Sequence, residues 1–275
     1  MIAKLPGRVT IEEDVVFGTG GGRDLKCDIF HPPDDQTGRA SLLILYGGAW
    51  RNGDRKQLKF YGIQLARFGY LCVCSEYRLS GESIWPAQIH DANSAVRWIR
   101  ANQERLGIDP EKISVTGNSA GAHLALMVGA TSHVKEFEGE GGNPDIASHC
   151  AGVIAIYPPT LLRVGDIGGA VNALLGDNAS RTTQDGASPI SYAREDFPPT
   201  MLIHGNSDTV VPVEASLRMY SALSDAGARV EMHVYEGAPH AFDALPEFGH
   251  QLVDLMALFI DRQVANPRPV SLATE

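Results

Sequence analysis

Lys112–Leu126 reads KISVTGNSAGAHLAL. An apolar, partly β-branched run climbs to Thr116 and breaks at Gly117-Asn118-Ser119-Ala120-Gly121. It resumes as a segment that is apolar nearly all round. The first half predicts a buried strand and the second a buried helix. A serine between two glycines at such a junction has a specific physical reading. A sharp strand-to-helix turn needs small residues on either side so that neighbouring backbones do not clash, and it lifts the serine clear of the sheet. The helix beyond it turns the positive end of its dipole toward the same point. Ser119 is therefore a candidate nucleophile. The competing reading is an ordinary strand–helix turn, and a lone G-x-S-x-G does not decide between them.

The rest of the chain repeats the strand–helix alternation. Apolar or alternating runs near 9–17, 24–30, 41–46, 70–76, 112–116, 151–157, 200–204 and 229–235 predict eight strands. The first two are joined by the glycine-rich GTGGGRD, which reads as a hairpin turn and not a phosphate loop, because a strand follows it. Helical patterns separate the later strands. RKQLKFYGIQLARFG ends at Gly69. PAQIHDANSAVRWIRANQERLG has Pro86 at an expected N1 position, ends at Gly107, and places Ile89, Ala92, Val96 and Ile99 on one face. Residues 211–226 and 245–263 complete the set. The expected fold is α/β, a mostly parallel eight-stranded sheet with helices on both faces. The chain reads as one domain over residues 1–275, with polar surface excursions or a small cap at 132–150 and 160–197.

A nucleophilic serine needs a base, and the base needs an orienting acid. Strand TMLIHG runs into NSDTVVP, which carries Asp208, and strand RVEMHVYE runs into GAPHAF, which carries His240. Both follow the carboxyl ends of strands, where open α/β sheets place ligands. The order Ser119, Asp208, His240 is that of α/β-hydrolases. His233 lies inside a strand and is a poorer base. His204 reads as packing or support at a strand end, His123 as structural and His250 as surface. Asp243 and Glu214 are fallback acids.

Ser41–Asp54, SLLILYGGAWRNGD, ends an apolar run in a small-residue loop. In an α/β-hydrolase the loop after the third strand lends backbone N–H donors to the oxyanion, and small residues let that backbone approach closely. Gly48 and Ala49 are the expected donors, with Gly47 shaping the turn, and Ala120 gives a further N–H. Trp50, Trp85, Tyr157 and Phe242, together with Tyr46, are aromatic candidates for the substrate pocket, weighed against plain core packing.

The bulk numbers bound the partners. The chain has 275 residues, 44% hydrophobic and 20% charged, with a net charge of −10. Its mean hydropathy is −0.10 and its pI about 5.4. That balance, with no basic run, argues against nucleic acid or an anionic membrane as the main partner. No run reaches the ~18 apolar residues that a membrane-spanning helix needs. Cys27, Cys72, Cys74 and Cys150 are too sparse for a disulfide framework, and a pair of buried reduced thiols is the expected reading of Cys72 and Cys74. No signal peptide is visible, so a cytoplasmic location is expected, although prior removal of a leader is compatible with the sequence.

YGGAW, YRL at Tyr77–Leu79, WPAQIHDANSAVRWIRAN, GIDPEKISVTGNSAGAHLA, HGNSDTVVPVEAS and GAPHAF together resemble the hormone-sensitive-lipase-like carboxylesterases. GEGGNPDIAS and LIHGNSDTVVP are similar to the branch that includes acetylxylan and feruloyl esterases. The resemblance covers about residues 20–262. It implies hydrolysis of a small-molecule ester, with short acyl groups preferred, through an acyl-enzyme, with no metal and no organic cofactor. A homodimer is the compatible assembly. One departure stands out: the family usually has histidine where this chain has Tyr46. Two other readings are carried alongside, an arylformamidase-like amidase and a non-catalytic ligand-binding protein on the same fold. A missing triad member would favour the latter, and none is missing.

Overall fold

The structure is a computed structural model that describes residues 3–269. Eight strands form one sheet in the order β1-β2-β4-β3-β5-β6-β7-β8. They are β1 (Thr10–Gly20), β2 (Arg23–His31), β3 (Arg39–Leu45), β4 (Leu71–Ser75), β5 (Ile108–Asn118), β6 (Gly152–Ile156), β7 (Thr200–Gly205) and β8 (Val230–Tyr235). β1 pairs antiparallel with β2, and β2 with β4, while every other pairing is parallel. Each expected strand is present within a few residues at either end. β3 stops at Leu45, so Tyr46 is the first residue of the loop and not the last of the strand.

The helices are α1 (Lys59–Ala66), α2 (Ala87–Ala101), α3 (Gln103–Leu106), α4 (Ala120–Thr131), α5 (Asp166–Leu175), α6 (Arg181–Gly186), α7 (Glu214–Asp225) and α8 (Pro246–Ile260). α2 begins at Ala87, so Pro86 caps the helix instead of opening it. Ile89, Ala92, Val96 and Ile99 form its fully buried stripe. Gly107 ends the α2–α3 run with φ +64°, where a side chain would be strained. Every residue of α4 is buried, as an all-round apolar helix requires. The central strands read as continuous apolar runs because both faces of the sheet are covered.

The stretch 160–197, expected as a surface excursion or a small cap, is partly helical. It carries α5 and α6, and Ala170, Val171 and Leu174 on α5 are fully buried. Those three residues make a short helical stripe inside a polar sequence, and the segment packs over the α4 side of the sheet. The stretch 132–150 holds one 3-10 turn, Lys135–Phe137, and is otherwise irregular. Arg97 pins it through the Glu138 carbonyl at 2.6 Å and the Glu138 carboxylate at 2.7 Å.

Candidate active site

Ser119 stands between β5 and α4 with φ +51° and ψ −119°, a strained conformation for a residue with a side chain. The two flanking glycines are required by space. A Cβ on Gly117 would lie 2.5 Å from the Leu45 carbonyl oxygen, and one on Gly121 only 2.0 Å from the same atom. The elbow is thus pressed against the end of β3, which is why its loop meets the serine.

His240 follows β8 and reaches Ser119 from the far side. Its Nε2 lies 3.0 Å from Ser119 Oγ, and its Nδ1 lies 2.6 Å from Asp208 Oδ2. A carboxylate only accepts, so Nδ1–H donates to Asp208 and the Nε2 lone pair faces the serine hydroxyl. Asp208 follows β7 and is fixed at its other oxygen. Oδ1 accepts from the backbone N–H groups of Val210 at 2.8 Å and Val211 at 2.9 Å. The Asp208 side chain is fully buried, whereas that of His240 is 18% exposed. Burial alone would raise the Asp208 pKa. Bonds from His204, His240 and the Val211 N–H outweigh it and hold the carboxyl well below its ordinary value.

His204 is more than packing. Its Nε2 donates to the Val211 carbonyl at 2.8 Å and lies 3.3 Å from Asp208 Oδ2, while Nδ1 sits 2.7 Å from Ser216 Oγ. Two histidines therefore flank one carboxylate oxygen. His123 is fully buried on α4; it accepts from the Trp50 indole N–H at 3.2 Å and donates to the Ala187 carbonyl at 2.8 Å. Burial pushes its imidazole down to about 4, which keeps it neutral. His250 is exposed on α8, and His233 lies in β8 facing Glu231. Neither is near the triad geometry.

The loop after β3 turns sharply at Gly48 (φ +126°), Ala49 (φ +54°) and Trp50 (φ +58°). Among the described residues, the N–H groups of Gly48, Ala49 and Ala120 have no acceptor within the protein. A Cβ on Gly47 would come 3.1 Å from Ser119 Cβ, so loop and elbow are in near contact. The Gly47 N–H is bonded, donating to Asn118 Oδ1 at 2.8 Å.

Tyr46, Trp50, Trp85, Tyr157 and Phe242 are all buried in the packed interior. Tyr46 stacks on Tyr77 with ring centres 4.5 Å apart, and its hydroxyl reaches only the Tyr77 carbonyl, at a long 3.4 Å. Trp50 and Trp85 both pack on His123. Tyr157 packs on the His240 ring, and Phe242 packs on Tyr157 in turn. Two cavities are lined in part by residues that adjoin Ser119, Asp208 and His240 in the chain. One of about 370 Å³ is lined by Pro159, Leu161, Val210 and Val211 among others. The other, of about 430 Å³, is lined by Gln57, Phe60, Tyr61, Asn118, Ala241 and Asp243 among others. Loop residues hide their direction from periodicity, so apolar rings after a strand end were ambiguous between wall and core. Asn118, Tyr77 and Tyr61 also escape sequence reasoning, because their contacts join elements far apart in the chain. Of the fallback acids, Asp243 is engaged by Tyr61, Tyr157 and Asn118. Glu214 lies in the first turn of α7, which it complements electrostatically.

Among the described residues, no helix is long and apolar enough to cross a membrane. The BD-FAE family model matches residues 27–223. The esterase LipQ of Mycobacterium tuberculosis is 32% identical over 242 residues, covering 84% of this chain and 57% of LipQ. The chain spans a little over half the length of the curated relatives it matches. Two solved structures align over nearly their whole length. A truncated carbohydrate esterase from gut microbiota gives a TM-score of 0.82 at 26% identity, covering 94% of this chain and 99% of that one. Thermogutta terrifontis esterase 2 phosphonylated by sarin gives 0.82 at 26%, covering 97% and 99%.

Proposed function

The chain belongs to the BD-FAE family of α/β-hydrolases, and from that premise we propose that it is a serine carboxylesterase acting on small esters with short acyl groups. The observation that carries this reading is the relay Ser119 Oγ to His240 Nε2 at 3.0 Å and His240 Nδ1 to Asp208 Oδ2 at 2.6 Å. The neighbour that is phosphonylated by sarin supports a nucleophile of the kind organophosphates trap. The relatives and neighbours described as esterases favour an ester over a formamide substrate.

In this reading Ser119 Oγ attacks the ester carbonyl carbon while His240 Nε2 takes its proton. Asp208 holds the reactive tautomer and stabilises the imidazolium that forms. The N–H groups of Gly48, Ala49 and Ala120 receive the developing oxyanion. Their lack of internal acceptors supports that role, because such donors must be aimed and unspent before reaction. Collapse of the tetrahedral adduct expels the alkoxide, protonated by His240, and leaves Ser119 acylated. Water, deprotonated by His240, then attacks the acyl carbon; this second adduct collapses with cleavage of the bond to Ser119 Oγ, His240 returns the proton to Oγ, and the carboxylic acid leaves.

The test is turnover of p-nitrophenyl acetate by the wild type and by Ser119→Ala, with phosphonate labelling of the wild type mapped by mass spectrometry. The expected result is label on Ser119 and no turnover by the variant. Label on another serine would sink the assignment.

A further inference from the structure

Asp243 is a carboxylate buried where the relay does not use it. Its Oδ2 accepts from Tyr61 OH at 3.2 Å and from Asn118 Nδ2 at 3.3 Å, and its Oδ1 accepts from Tyr157 OH. The Tyr157 hydroxyl also accepts from Asn118 Nδ2, at 3.0 Å. At the other end of the same amide, Asn118 Oδ1 accepts the Gly47 N–H at 2.8 Å. Five residues from separate segments thus share one network. It runs from the loop bearing His240, through the residue preceding Ser119, to the loop whose N–H groups face no internal acceptor.

The network has only one consistent set of directions. An ionised carboxylate accepts and never donates, so both phenols and the amide NH2 must point toward Asp243. The Asn118 NH2 is drawn to Asp243 and Tyr157, which leaves the Asn118 carbonyl oxygen for Gly47. With the amide turned over, its oxygen would face a carboxylate and its NH2 would face an N–H. Both bonds would become repulsions. A buried charge costs desolvation energy that an apolar side chain of similar size would not. Burial does push the Asp243 carboxyl above its ordinary value, against the pull of its three side-chain bonds. An element kept only for packing has no need of that charge.

We propose that Asp243 and Asn118 are positioning residues for the oxyanion loop: Asp243 orients the Asn118 amide, and the amide oxygen holds Gly47 so that the adjoining Gly48 and Ala49 N–H groups stay aimed beside Ser119. Its catalytic consequence rests on the esterase reading above; its geometric consequence does not. Losing one donor from an oxyanion hole costs ~10²–10³ in rate, and displacing two without deleting them is set somewhat lower, at ~10–10².

The experiment uses Asp243→Asn, Asn118→Asp, the double exchange of both, and Asn118→Ala. In Asp243→Asn the carboxylate that fixes the amide is gone, and in Asn118→Asp two carboxylates face each other. In the double exchange an acid at position 118 accepts from Gly47 and from the new amide at 243, so a consistent set of directions returns. Asp243→Asn is expected to lower kcat ~10–10²-fold with KM within threefold. The affinity for a trifluoromethyl ketone, which forms a tetrahedral oxyanion on the serine, should weaken by the same factor as kcat/KM. Hydrogen exchange of the 47–52 amides in the resting protein should quicken. The double exchange should recover at least half of each loss on a logarithmic scale. Asn118→Ala, which removes the Gly47 acceptor without adding charge, should reproduce the loss if either acid variant fails to fold.

Asp243→Asn and Asn118→Ala both within twofold of wild type in kcat, inhibitor affinity and loop exchange would overturn the proposal. So would a double exchange no better than its worse single. If the wild type turns over no ester, the esterase reading fails and loop exchange alone still decides the network. If the wild type is active and Ser119→Ala is not, unchanged Asp243→Asn refutes the positioning role and leaves the esterase reading standing.

Discussion

Asp208→Asn removes one charge and two acceptor lone pairs at the point where two histidines converge, and the surrounding bonds decide how the new amide settles. It has two orientations. With its NH2 toward Val210 and Val211, two N–H groups now bonded at 2.8 and 2.9 Å would face a donor. Each buried donor left unpaired costs ~1–3 kcal/mol, so this orientation costs about 2–6 kcal/mol of stability. With its oxygen toward those N–H groups, the NH2 faces His240 Nδ1, now at 2.6 Å, and His204 Nε2, now at 3.3 Å. His204 cannot yield, because its Nε2–H is held by the Val211 carbonyl. His240 can, by moving its proton to Nε2, and imidazole tautomers differ little in energy. The second orientation therefore wins, and it places an N–H where the proposed attack by Ser119 needs a base. The expected loss is ~10³–10⁴ in kcat, or about 4–5.5 kcal/mol of barrier, with modest loss of stability. The assay is kcat for p-nitrophenyl acetate alongside a urea melt of each protein. A kcat within tenfold of wild type would refute the reasoning. The refutation would be complete if Glu214→Gln were inactive instead.

Tyr77→Phe should destabilise more than Tyr46→Phe in urea melts, because the Tyr77 hydroxyl donates to the Tyr46 carbonyl at 2.9 Å whereas the Tyr46 hydroxyl makes only a 3.4 Å contact. Tyr46→Phe should cost less than tenfold in kcat/KM, and a hundredfold loss of kcat at unchanged stability would put its hydroxyl in the transition state. Rates on p-nitrophenyl esters should peak between acetyl and butyryl, and a rise continuing past octanoyl would contradict a short acyl site. His123, with its imidazole pushed down to about 4, binds its proton more weakly folded than unfolded. Its stabilising neutral form is fully retained above pH ~6.5 and lost as pH falls toward 4, at most about 3 kcal/mol in all. His123→Gln should remove that dependence, and an equal stability difference between variant and wild type at pH 4.5 and 7.5 would refute it.

The sheet was legible because strand and helix signals are local. β-branched runs bounded by glycine and proline mark strands whatever they pack against, and Asp208 and His240 stand out because each comes directly after such a run. The direction of a loop side chain is not local. Tyr46, Gly47 and Trp50 lie within five residues, and each finds its partner in a different element: Tyr77 beyond β4, Asn118 at the end of β5 and His123 on α4. These contacts explain a feature that the small-residue loop alone does not. Ala49 and Trp50 hold left-handed φ values of +54° and +58°, which cost on the order of 1–3 kcal/mol each. Full burial of a large apolar side chain contributes about 1.5–3 kcal/mol, and the indole hydrogen bond ~0.5–1.5 kcal/mol more. Trp50 alone therefore offsets much of its own strain, and the Tyr46 stack and the Gly47 bond supply further anchors. The Gly47 and Trp50 anchors hold the loop whatever residue opens it. With those two anchors in place, a tyrosine stacked on Tyr77 fits at position 46, where the resembled family has histidine, without displacing the glycines beside it.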